Sequence, residues 1–286
     1  MKINIDKRFL IVGLGLIGGS YAKGLKKAGY YVGAIDIDKK AIEYALDNNI
    51  IDSGSSKLEE QYIKSFDIVI FALYPNIFIK WIKDNQHLLK EHALITDVTG
   101  VKKVVVEETQ NILRNDLEFV PSHPMAGREI SGIQNADESI FKNANYLVVP
   151  NQKNTKESIE TVKEIGHILG FKNINTLSVD EHDQMIAFLS QLTHCIAISL
   201  MTCNDNDDLA KYTGDSFRDL TRIANINECL WSELFLSNKK ALLEEIDLFE
   251  KELNKLKDAI KKDDSETIKE MMKLSTERRK KFDKKI

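Results

Sequence analysis

Up to about residue 178 the chain alternates short apolar runs with amphipathic stretches. "RFLIVGLG" is a continuous apolar run closing on glycine, the pattern of a strand buried on both faces. "LIGGSYAKGLKKAG" follows with a helical period and a terminating Gly29. The pair then repeats. "YVGAIDID", "FDIVIFALYP" and "HALITDVTG" predict strands, and "KKAIEYALDNNI", "IFIKWIKDNQHLL" and "VKKVVVEETQNIL" predict the helices between them. "LEFVPSHP" reads as a strand end. "NYLVVP", a helix near 155–169 and "NINTLS" read as closing elements of the same sheet. Strand–helix alternation of this kind predicts a mostly parallel, doubly wound α/β sheet.

From Val179 the period changes to that of long helices. "DEHDQMIAFLSQLTHCIAISLM" is apolar on most sides, which places it in a core or a subunit interface. "NECLWSELFLSNKKALLEEIDLFEKELNKLKDAI" and the final twenty residues are amphipathic. Turn punctuation agrees with this division. Pro75, Pro121, Pro124 and Pro150 are all the prolines, and Gly214 is the only glycine after Gly170. The expected organisation is a nucleotide-binding α/β domain over 1–178 and an all-α domain over 179–286.

Composition removes several classes. A net charge of −4 does not suit a nucleic-acid coat, and the lysine-rich end "ERRKKFDKKI" is read as a solvated face. No run of 18 apolar residues predicts a membrane span. The opening residues carry no signal-peptide core, so a cytoplasmic protein is expected. Cys195, Cys203 and Cys229 lack CxxC spacing and suggest neither a metal site nor a disulfide framework.

Candidate chemistry begins with Gly13, Gly15 and Gly18 in "GLGLIGG". The GxGxxG spacing follows a predicted strand and opens a helix, the context in which it binds a dinucleotide. Gly13 would make the tight turn, Gly15 would admit the pyrophosphate, and Gly18 would let helix and strand pack closely. The first helical turn, with Leu16 and Ile17, would offer its free N–H groups to the phosphates. Asp36 stands at the end of the second strand, where a carboxylate binds the ribose hydroxyls and repels a 2′-phosphate. NAD is therefore expected over NADP.

Two loops after strands, "ITDVTG" and "FVPSHPMAG", should face the nicotinamide end of such a site. His123 lies in the second. A histidine there can hold or remove a substrate proton near neutrality, although position alone fits an idle loop residue equally well. On the long helix, Asp183, Ser190 and His194 fall within roughly 40° of one another at about 100° per residue. That polar stripe either forms an interhelix hydrogen-bond network or lines a polar cleft. Arg218 and Arg222, four residues apart, could bind carboxylates or simply pair with Asp215 and Asp219.

Taken in order, "GLGLIGGS", "TDVTGVK", "SHPMAGREISG", "HDQMIAFLSQLTH", "FRDLTRIA" and "LWSELFLSNK" resemble the prephenate dehydrogenase family, with its arogenate and cyclohexadienyl relatives. The resemblance covers nearly the whole chain. It implies a Rossmann-type domain followed by a helical dimerisation domain, a homodimer, and NAD-dependent oxidative decarboxylation of prephenate to 4-hydroxyphenylpyruvate in tyrosine biosynthesis. It implies that His123 contacts the substrate ring hydroxyl and that Glu129 stands near the mouth of the site. Ser190 and His194 would line the substrate pocket, Arg222 would bind a carboxylate, and Trp231 would be an aromatic neighbour. One position departs from the pattern: Gly100 stands where many relatives carry a serine that bonds the histidine, so Thr99 or a water would supply that hydroxyl. Arogenate as substrate, a 3-hydroxyacid dehydrogenase and a non-catalytic NAD-binding protein stay open as alternatives. The catalytic lysine of the second belongs on the first long interdomain helix, and residues 179–202 contain none.

Overall fold

A computed structural model describes residues 2–282. The apolar runs form a parallel six-stranded sheet in the order β3-β2-β1-β4-β5-β6. Its elements follow the chain: β1 (Arg8–Val12), α1 (Leu16–Lys27), β2 (Tyr31–Ile35), α2 (Lys39–Asp47), β3 (Ser53–Ser55), α3 (Glu60–Ile63), β4 (Ile68–Phe71), α4 (Pro75–Asn85), β5 (Leu94–Asp97), α5 (Lys103–Ile112) and β6 (Glu118–Phe119). The strands are buried on both faces because helices cover both, which is why they read as unbroken apolar runs. One face packs Phe9, Ile11 and Val32 with Tyr21 and Leu25. The other packs Leu10, Val69 and Phe71 with Phe78, Trp81 and Val105. The strand order reverses between β1 and β4, so the crevice at their carboxyl ends is the expected ligand position.

The later strands differ from the expectation of one continuous sheet. β7 (Ser122–Pro124), β8 (Asn145–Val148) and β9 (Asn173–Thr176) form a separate three-stranded sheet, with α6 (Lys156–Ile168) between the last two. β7 pairs antiparallel with β8. Pro121 separates β6 from β7, and a proline has no N–H with which to continue a ladder.

The helical region begins with a capping box at Ser178 and Glu181. α7 (Val179–Ile186) runs through a π-helical segment, Ala187–Leu192, into α8 (Thr193–Thr202). By length and composition this continuous helix could cross a membrane, although it holds no unbroken run of 18 apolar residues. Yet it carries His182, Asp183 and Gln191 buried against protein. α9 (Asp215–Thr221) and α10 (Glu228–Ser237) follow. Packing places these helices with the sheets in one compact unit that ends at Asn238, although the helical period begins at 179. Leu234 of α10 lies in the same apolar cluster as β4 and β5, and Asp183 bonds the start of α5. The second unit begins at Lys239 and contains α11 (Lys239–Lys261) and α12 (Ser265–Arg279), joined by a turn in which Asp264 caps α12.

Candidate active site

The glycine loop joins β1 to α1 at the reversal of strand order. Gly13 has φ +99°, and a Cβ there would lie 2.5 Å from the Ala72 carbonyl oxygen at the end of β4. A Cβ on Gly18 would lie 1.9 Å from the Gly13 carbonyl oxygen. Both positions exclude a side chain for reasons internal to the fold. Gly15 is different: a Cβ there meets nothing within 4 Å. It caps α1, and the space above it is open to a ligand approaching the free N–H groups of Leu16 and Ile17. Asp36 accepts the Leu14 N–H at 2.6 Å and the Asp38 N–H at 2.8 Å, so its carboxylate sits beside the glycine loop. There is no arginine between Arg8 and Arg114 to receive a 2′-phosphate. These residues fit a bound NAD.

The loop after β5 is organised by a buried ion pair absent from the sequence reading. Lys102 and Asp97 are both fully buried, with Nζ 2.6 Å from Oδ2. The other two Lys102 protons reach the Thr99 carbonyl and Thr99 Oγ1. Asp97 also accepts the N–H groups of Thr99 and Ser122. One carboxylate therefore ties the Thr99–Gly100 loop to the first residue of β7, next to His123. Burial lowers the pKa of Lys102, and the attraction of Asp97 opposes that shift.

Thr99 does not fill the place left by the missing serine. Its single hydroxyl proton is shared between Asp97 and the Val101 carbonyl, and it accepts from Lys102, so it has no proton left to donate to His123. Thr99 is part of the buried brace and not a catalytic group.

His123 projects from β7 and is partly exposed. Its Nε2 faces Gly100, 3.9 Å from where a Cβ on that glycine would stand. Its Nδ1 lies 2.9 Å from Nε2 of His182, whose own Nδ1 lies 2.7 Å from Asp183 Oδ1. Desolvation first, then the neighbouring His182 and Lys102, push the His123 pKa well below the ordinary histidine value. His182 is lowered by burial against the opposing pull of Asp183. The sequence signal for this pair was the adjacent polar residues "HD" on an apolar helix; their partners lie some 60 to 80 positions away along the chain.

The polar stripe divides in two. Asp183 turns inward and accepts the backbone N–H groups of Lys102 and Lys103, at 2.8 and 2.9 Å. A carboxylate there complements the positive end of α5. Ser190, within the π segment, and His194, just beyond it, are half-buried, and the wider turn there shifts the phase of the helix. His194 Nδ1 donates to the Ser190 carbonyl, and its ring stacks on Trp231 with centroids 3.5 Å apart. Burial lowers its pKa as well. Arg222 pairs with Glu129, joining α9's end to the loop after β7. Arg218 is not brought into this group: it is exposed and pairs with Asp215 at 3.4 Å, a surface pair one helical turn apart.

Comparison with known proteins agrees with the geometry. Residues 21–174 match the family described as "Prephenate dehydrogenase, nucleotide-binding domain", and residues 178–274 match "Prephenate dehydrogenase, dimerization domain". The prephenate dehydrogenase of Lactococcus lactis is 34% identical over 272 residues, 92% of this chain and 73% of that protein. That of Bacillus subtilis is 31% identical over 271 residues, 91% of this chain and 71% of that protein. A solved Aquifex aeolicus prephenate dehydrogenase, in complex with hydroxyphenyl propionate and NAD+, superimposes with a TM-score of 0.89 at 31% identity. The match covers 98% of this chain and 99% of that one.

Proposed function

The chain belongs to the prephenate dehydrogenase family, and we propose that it oxidatively decarboxylates prephenate with NAD+ as the acceptor. The observation that carries this reading is His123, held at the end of the sheet with Nε2 facing the Gly100 loop. NAD+, when bound, supplies the two-electron acceptor for the hydrogen on the hydroxyl-bearing ring carbon. His123 Nε2 takes the hydroxyl proton as that carbon is oxidised. It returns the proton to the phenolic oxygen after CO2 has left and the ring has become aromatic. Its lowered pKa keeps it unprotonated, hence able to accept, at neutral pH.

Arg222 is the carboxylate anchor. In the free protein its guanidinium is held by Glu129 across the mouth of the cleft, and a substrate carboxylate would exchange for Glu129. His194, flat against Trp231, presents its free Nε2 as a further polar contact. Such positioning supplies much of the expected rate gain. A homodimer is part of the same reading. Met185, Phe188, Leu189 and Leu236 are exposed apolar side chains within the segment that matches the dimerisation domain, and a second copy would cover them.

Arogenate differs from prephenate in carrying an amino acid side chain in place of a keto acid. NADH formation measured side by side with prephenate and arogenate, and with NADP+ in place of NAD+, tests the proposal. Prephenate with NAD+ should give the highest kcat/KM. A higher value for arogenate would reassign the substrate, and no turnover on either would remove the activity.

A further inference from the structure

Gly100 carries no hydroxyl where the family resemblance would place one against the histidine, and the Thr99 proton is committed elsewhere. Something else must fix the ring of His123. The protons along the buried chain His123–His182–Asp183 can be assigned by following donors and acceptors from one end. Asp183 accepts two backbone N–H groups, one on each oxygen. As a carboxylate it can only accept, so the contact at 2.7 Å is a donation from His182 Nδ1–H. His182 is wholly buried, and the loss of solvent, with the buried Lys102 charge nearby, disfavours its cation by more than Asp183 favours it. The ring is therefore neutral, and its Nε2 holds a lone pair. A lone pair 2.9 Å from His123 Nδ1 demands that Nδ1 carry the proton. A neutral His123 then has its own lone pair on Nε2, the nitrogen facing Gly100.

We propose that His182, itself fixed by Asp183, is a positioning residue that holds His123 as the Nδ1–H tautomer, with Nε2 free to accept the substrate proton. The inference deepens the reading of His123 as the proton acceptor and rests on it. In the reaction the substrate O–H bond breaks and a bond from hydrogen to His123 Nε2 forms. The resulting imidazolium keeps its Nδ1–H bonded to His182, so no second proton moves. The relay thus takes over from the other side of the ring the orienting task of a serine at Gly100. The π segment just beyond α7 belongs to the same arrangement. Asn238 donates to both the Asp183 carbonyl and the side chain of Gln191, and Gln191 donates to the Leu234 carbonyl, fixing this turn from behind.

The test uses the full-length protein labelled with 15N-histidine. Two-bond proton–nitrogen correlation spectra read the tautomer of each ring, and six histidines keep the spectrum simple. Loss of one set of signals in His123→Gln assigns that residue. In the free wild-type protein near pH 7.5, His123 should show a protonated Nδ1 and a bare Nε2. A protonated Nε2 on His123 overturns the proposal, whatever any variant does. Two substitutions add the kinetic arm. His182→Leu removes the acceptor and should lower kcat by about 10²-fold, with KM for prephenate little changed and the Nδ1–H signature of His123 lost. His182→Gln offers an amide oxygen in the same place and should recover most of both. Equal loss in the two variants with the His123 tautomer unaltered would make His182 a packing residue and refute the relay. If His123→Asn turns over like wild type, the base assignment fails, and the spectrum still reports the hydrogen-bond chain on its own.

Discussion

Replacing Lys102 by methionine removes one partner of a fully buried ion pair and leaves Asp97 charged in the core. Methionine matches much of the aliphatic stem, so the change isolates the charge from the volume. Breaking a buried pair from one side costs about 3–5 kcal/mol, because the remaining ion keeps its desolvation penalty without its compensation. Unfolding entropy near 2.1 cal/mol/K per residue gives about 0.5 kcal/mol/K for a unit of 238 residues. The expected fall in Tm is then about 6–10 °C. Lys80→Met is the control. Lys80 pairs with Asp84 on an exposed helix face, and such pairs contribute about 0–1 kcal/mol, or at most about 2 °C. Thermal scans of wild type and both variants at one protein concentration make the comparison. Turnover should fall in the Lys102 variant as well, since Asp97 holds both the Thr99–Gly100 loop and Ser122 at the start of the His123 strand. A Lys102→Met protein that melts within about 2 °C of wild type would refute the view that this pair braces the site.

Three further expectations concern cofactor, substrate and pH. Gly15→Val places a branched side chain in the open space above the helix N-terminus. NAD+ titration should show Kd raised at least about tenfold with Tm unchanged, and unchanged affinity would place the pyrophosphate elsewhere. Arg222→Ala should raise KM for prephenate about tenfold or more while Tm moves by less than about 2 °C, because its pair with Glu129 is largely exposed; an unchanged KM would leave Arg222 a surface ion. His123, His182 and His194 all have folded-state pKa values below the free value of 6.5, with burial as the first cause. The unfolded chain therefore binds protons that the native protein refuses as pH falls below about 6.5. Stability is full above that value and declines below it, with a slope of up to about 1.4 kcal/mol per pH unit per group. Urea midpoints at pH 7.5 and 5.5 measure this, and equal midpoints would contradict it.

Much of the α/β unit was legible because its signals are local. A strand covered on both faces must be apolar throughout, and Gly13 and Gly18 are required by contacts within a few residues or at the end of β4. The separate second sheet was not legible. "NYLVVP" has the same composition whether it joins a parallel or an antiparallel neighbour, and only the break at Pro121 hints at the change. Of the site, His123, His194 and Arg222 were found as residue types in suitable loops and faces. The brace and the relay were missed because their partners are distant in sequence: Asp183 meets Lys102 some 81 positions away, and His123 meets His182 some 59 away. A 3.6-residue projection also puts Asp183 on the face of Ser190 and His194, whereas the π segment, which begins after Asp183 and includes Ser190, changes the phase and Asp183 bonds the start of α5.

The central claim is that His123 moves the substrate proton. His123→Asn keeps the size and polarity of the side chain while removing the titratable nitrogen. Turnover with saturating prephenate and NAD+, measured beside NAD+ affinity by direct titration, tests it most directly. In His123→Asn kcat should fall by about 10²–10⁴-fold with NAD+ Kd within about twofold of wild type. A variant that binds NAD+ normally and turns over at the wild-type rate would contradict it.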